Sequence, residues 1–151
     1  MPQSLAQIYL HLVFSTKCRA AFLVDPAIRK ELHAYLVGIC RNLGSPSLLT
    51  GGTADHVHIL CCFSRGTTVS DFVRELKRDS SKWIKTKGTD LAAFHWQDGY
   101  GVFSVSPSHV TPLRQYIADQ EAHHHKESYQ DEFRRLLRKY GVQYDERYVW
   151  D

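Results

Sequence analysis

The chain has no apolar run near the ~20 residues that a membrane-spanning helix requires. Its first residues, Met1-Pro2-Gln3-Ser4-Leu5, carry neither the basic nor the apolar segment of a secretory leader. A cytoplasmic location is the expectation. There are only four cysteines, Cys18, Cys40, Cys61 and Cys62, and none forms a CxxC pair. Adjacent Cys61 and Cys62 point to opposite faces of any strand, so free thiols are expected rather than a cysteine zinc site. No repeat, linker or low-complexity segment divides the 151 residues, which suits one domain over 1–151.

Net charge is also small, +3 overall, but it is unevenly placed. Residues 65–87 hold seven basic side chains against three acidic ones, a surplus larger than that of the whole chain. Local basic character of this kind suits a polyanion.

The spacing of apolar residues predicts the order β-α-β-β-α-β followed by two further helices. Gln7 to Thr16 alternates as a strand, with Leu10, Leu12 and Phe14 on one face and Tyr9, His11 and Val13 on the other. Asp25-Pro26 opens a helix that Gly44 ends. Pro46 to Thr50 pairs with the strand that follows, through a turn at 51–54. Thr68 with Asp71 caps a second helix reaching about Lys85. Tyr100 to Ser106 is a strand, a third helix covers about 109–124, and a C-terminal helix and tail occupy about 128–151. Aromatic residues in the tail (Tyr144, Tyr148, Trp150) indicate docking on this subunit or on a partner. The fold class is therefore α+β: a ferredoxin-like (RRM-like) antiparallel sheet with helices mainly on one face and extra C-terminal helices. The other sheet face is expected to be open to a ligand.

His56-Val57-His58 lies within the third strand. Residues i and i+2 share a face, so two imidazoles stand side by side, half of a divalent-metal site. Two polar residues on a partly exposed face would look the same. A histidine-triad hydrolase would need a further histidine where Leu60 stands. For phosphoryl transfer at such a metal, the third helix offers Tyr116 as nucleophile and Gln120 as an oxygen ligand one turn later. Tyr116 also adjoins an apolar stripe, where a tyrosine serves packing. His123-His124-His125 reads as a solvated helix end, and His11 as a residue behind His56 across the sheet. Arg74, Lys77, Arg78, Lys82 and Lys85 form a face of the second helix suited to a DNA backbone. Tyr9, Trp96 and Phe103 are candidates for stacking on unpaired bases.

Taken together, His56-Val57-His58, the YxxxQ segment Tyr116 to Gln120, the opening YLHLVFSTK, the segment VSDFVRELKRDSSKWI and the ending DERYVWD resemble the single-tyrosine HUH transposases of small bacterial insertion sequences. The resemblance runs nearly end to end. It implies Mg²⁺ or Mn²⁺ held by His56, His58 and Gln120, and attack by Tyr116 to give a 5′-phosphotyrosine and a free 3′-hydroxyl. It further implies single-stranded DNA with hairpin ends as substrate, and a homodimer whose tyrosine can serve the partner's site. The alternatives are a domesticated nuclease acting on palindromic repeats, and a ferredoxin-like module that binds single-stranded nucleic acid without cutting.

Overall fold

The computed structural model describes residues 2–151. Four antiparallel strands, β1 (Tyr9–Ser15), β2 (Ser47–Gly52), β3 (His56–Cys62) and β4 (Gly101–Val105), form one sheet in the order β2-β3-β1-β4. Helix α1 (Pro26–Asn42) connects β1 to β2, and α2 (Val69–Ile84) connects β3 to β4. This is the expected split β-α-β arrangement. Local chemistry sets the helix starts. Asp25 accepts from the Ala27 N–H at 2.9 Å and Thr68 from the Asp71 N–H at 3.1 Å, each satisfying a donor that the first turn leaves free.

Strand alternation sends Leu10, Leu12, Phe14, Val57, Ile59 and Cys61 to one face, where they meet Leu32, Leu36, Phe72 and Leu76 of α1 and α2. Trp96 belongs to this core and is 4% exposed, so it is packing and not a base-stacking surface. Phe103 is equally buried, stacked on Tyr140 on the opposite face.

That opposite face is not open. Helices α3 (Val110–Ala118), α4 (Gln120–His123) and α5 (Tyr129–Lys139) cover it. Ile117 and Leu113 of α3 join Leu60 and Val105 in one apolar cluster, and Phe133, Leu136 and Leu137 of α5 join Val13 and Phe103 in another. Two glycines let the helices come this close. A Cβ at Gly51 would stand 3.0 Å from the Ile117 carbonyl oxygen, and one at Gly101 would stand 2.6 Å from the Phe133 ring. Composition around residue 51 reads as a turn, but Gly51 is a strand residue under a helix.

The expected continuous helix over 109–124 is broken. Asp119 sits at φ −95° and ψ 15°, outside helical geometry, and separates α3 from α4. The tail docks on its own chain. Trp150 packs against Tyr129 and Phe133, and the Asp151 carbonyl accepts from the Gly99 N–H at 2.8 Å. Tyr148 stays exposed at 64%.

Candidate active site

The sheet register fixes the histidines. Val13 of β1 stands opposite His58, and His11 opposite Leu60. His56 and His58 point away from the α1–α2 core, and both are fully buried. Each ring is held by its Nδ1. His58 Nδ1 lies 2.8 Å from His11 Nε2, and His56 Nδ1 lies 2.7 Å from Asp55 Oδ1 and 3.0 Å from Thr53 Oγ1. Both Nε2 atoms are thereby turned to the same point, the Glu132 carboxylate, at 3.0 Å from His58 and 3.4 Å from His56. Hydrogen bonding of the far ring nitrogen in this way orients an imidazole toward a metal.

Glu132 of α5 is the hub. It accepts from Gln120 Nε2 at 2.9 Å, from His124 Nε2 at 3.1 Å, and from the Tyr116 hydroxyl. Gln120 Oε1 in turn lies 2.9 Å from His56 Nε2. The two histidines, the glutamine, the tyrosine and the carboxylate thus meet in one chain, although Tyr116 and Gln120 do not share a continuous helix. The break at Asp119 turns Gln120 inward, where it is 1% exposed.

Electrostatics follow from the geometry. Burial alone would raise the Glu132 carboxyl, but the ring N–H groups around it hold it ionised, well below the usual carboxylate range. Burial works against a charged His56, yet hydrogen bonds to Asp55 and Glu132 outweigh it and raise its pKa to about 9. His58 and His11 are shifted the other way by burial and stay neutral. Burial and the Glu132 charge push the Tyr116 phenol up, against an opposing hydrogen bond from Arg135. Tyr129 lies flat against His56, with ring centroids 4.6 Å apart, and is itself buried.

The residues fit a divalent ion. His56, His58 and Glu132 offer ligand atoms within 4.8 Å of one another, all buried. Two imidazoles with a carboxylate or an amide oxygen are a mixed nitrogen and oxygen set suited to Mn²⁺ or Mg²⁺. A family model described as "Transposase IS200 like" matches residues 4–120.

The chain belongs to the IS200-like transposases.

Among solved structures, this transposase is similar to a candidate transposase from Deinococcus radiodurans, at 26% identity and a TM-score of 0.62, covering 80% of this chain and 95% of that one. It shares its fold with a REP-associated tyrosine transposase bound to a REP hairpin, at 12% identity and a TM-score of 0.59, covering 82% and 73% of the two chains. No curated protein matches it.

The four basic residues of α2 and Lys85 at its C-cap lie on the other side of the sheet and divide into three groups. Lys77 is turned inward and donates to the carbonyl oxygens of Gln97, Asp98 and Gly99 at 2.7, 3.1 and 2.7 Å. Its ammonium is committed to holding the 97–99 segment, and burial lowers it to about 8. Arg74 pairs with Asp71, and Arg78 with Glu75 and Asp79, on the exposed helix face. Lys82 and Lys85 are exposed, with no ion pair among the described residues. Arg74, Arg78 and Tyr100 rim a groove of about 400 Å³.

Sequence reasoning missed Glu132 and read His124 as solvated. One signal was present. Tyr129, Glu132, Phe133 and Leu136 fall at i, i+3, i+4 and i+7, so a carboxylate interrupts an apolar stripe. Asp131 beside it looks the same in composition but is exposed in the first turn, its N–H donating to the capping Ser128 Oγ at 3.1 Å.

Proposed function

We propose that this transposase cleaves and rejoins single-stranded DNA at insertion-sequence ends through a 5′-phosphotyrosine on Tyr116. The observation that carries the reading is the meeting of the Tyr116 hydroxyl with Glu132, Gln120, His56 and His58 in one buried cluster. His56, His58 and Gln120 would hold Mg²⁺ or Mn²⁺, with Glu132 as a further oxygen donor beside them. When bound, the ion supplies polarisation of a phosphodiester oxygen. The protein residues do the rest. Glu132 holds the phenolic hydroxyl toward the histidines, and α3 and α5 bury His56, His58, Gln120 and Glu132 away from bulk water. Hairpin DNA would contact Arg74, Arg78, Lys82 and Lys85, with the single-stranded flank passing around the sheet edge to Tyr116. Tyr116 of the same chain stands at the site, so we read cleavage in cis within a homodimer acting in the cytoplasm.

A second reading keeps the chemistry and changes the biology: a domesticated nuclease acting on palindromic repeats. The structure of a REP-associated relative bound to a REP hairpin favours keeping it.

The test is a covalent adduct. Protein mixed with Mg²⁺ and a hairpin bearing a single-stranded flank should give a protein–DNA band that maps to the Tyr116 peptide. Tyr116→Phe should lower its yield at least about 10³-fold, while Tyr129→Phe leaves it in place. An adduct that survives in Tyr116→Phe would refute the assignment.

A further inference from the structure

Arg135 of α5 is absorbed by none of the roles above, yet it touches the reacting oxygen. Its Nη2 donates to the Tyr116 hydroxyl oxygen at 2.7 Å. The same guanidinium is held from behind by Glu127, at 2.9 Å from Nη2 and 3.2 Å from Nε. A planar guanidinium braced by a carboxylate has a fixed direction, so its remaining donors do not search for a partner. Tyr116 therefore sits between two opposite groups: a carboxylate that accepts its hydrogen bond and a guanidinium that donates to its oxygen. Beside it lies a cavity of about 210 Å³ lined by His109, Leu113, Tyr116, Arg135, Lys139 and Tyr140. Its polar rim is cationic, which leaves room for a phosphate-bearing strand next to the phenolic oxygen.

We propose that Arg135 is a catalytic residue of strand rejoining, holding the Tyr116 oxygen as it leaves phosphorus, with Glu127 as its positioning residue. This rests on Tyr116 being the nucleophile. In cleavage the bond from the Tyr116 oxygen to phosphorus forms and the bond from phosphorus to the 3′-oxygen breaks. One proton leaves the phenol and one joins the 3′-oxygen. In rejoining the 3′-hydroxyl gives up its proton and attacks phosphorus, the bond to the Tyr116 oxygen breaks, and that oxygen departs with the electron pair and takes up one proton to restore the phenol. A donor fixed 2.7 Å from it stabilises the charge that develops there.

The experiment starts from the isolated covalent complex and follows the release of rejoined DNA after a 3′-hydroxyl strand is added. Arg135→Gln should slow rejoining from the covalent complex roughly 10²-fold, and Arg135→Lys should recover part of the loss. Glu127→Gln should slow it about 3- to 10-fold, as expected when a guanidinium keeps its charge but loses its brace. The decisive arm places trifluorotyrosine at position 116. A better leaving group needs less help, so the Arg135→Gln defect should shrink at least about tenfold in that background. An equal defect with tyrosine and trifluorotyrosine would assign Arg135 a structural role and overturn the proposal. Peptide mapping separates the two levels. An adduct on another tyrosine overturns the nucleophile and this inference together. An adduct on Tyr116 with no Arg135 effect overturns this inference alone.

Discussion

The two faces of the sheet are built on different principles. Beneath α1 and α2 the face is one continuous apolar core in which Leu32, Leu36, Leu76 and Phe14 are fully enclosed. Beneath α3, α4 and α5 the apolar packing splits into two smaller clusters, and between them lie His11, His56, His58, Gln120 and Glu132, all buried. Burying an ionised carboxylate costs several kcal/mol unless hydrogen bonds compensate. Here nearly every donor around Glu132 is directed at it. The first face is where stability resides, and the second is where an interior was given up to polar groups that converge on one carboxylate.

Substitutions should separate the faces. The largest effect belongs to His58→Ala. Removing the imidazole should weaken Mn²⁺ binding at least about 100-fold by calorimetry, and stripping a hydrogen bond from buried Glu132 should lower the melting temperature as well. An unchanged isotherm would favour a nucleic-acid binder without a metal centre. Next, Leu36→Ala on the first face should cost about 2–5 kcal/mol in denaturant unfolding, through reduced burial and a residual cavity. The folded fraction should keep its metal affinity.

pH acts on the second face. His56 carries a proton below about 9, and a metal needs the bare Nε2. Apparent Mn²⁺ affinity should therefore rise close to tenfold per pH unit from about 6.5 to about 9 and then level. Without metal the sign reverses. The protonated His56 contributes stability that is full below its unfolded value of about 6.5 and is lost as pH rises through about 9. A flat pH profile would mean that the ion displaces no proton from His56. The smallest effect belongs to α2. Lys82→Ala with Lys85→Ala should lower hairpin affinity a few-fold and reduce the salt slope by about one for each phosphate no longer neutralised. Lys77→Ala should instead loosen the 97–99 segment and act mainly on stability.

Much of this was legible in the residues. Alternation placed His56 and His58 on the face opposite Val57 and Ile59, because a strand allows only two directions. Capping chemistry at Asp25 and Thr68 marked two helix starts to within a residue. The basic run gave α2 its polar face, but not that Lys77 turns inward, since carbonyls exposed by a loop leave no trace in spacing. The covered second face was missed because a ferredoxin-like pattern says nothing of where extra helices dock. Gly51 and Gly101 carried that information, and each reads equally well as a turn residue or a loosened strand. Glu132 was missed for a related reason. A carboxylate in a first helical turn is favoured by the helix dipole whether it faces water or the core.

The most direct test of the convergent site is anomalous diffraction from crystals soaked in Mn²⁺. One manganese peak should lie within about 2.4 Å of Nε2 of both His56 and His58, completed by oxygen from Gln120 or Glu132. A peak elsewhere, or none at a concentration that supports adduct formation, would contradict a metal centre built on the two histidines.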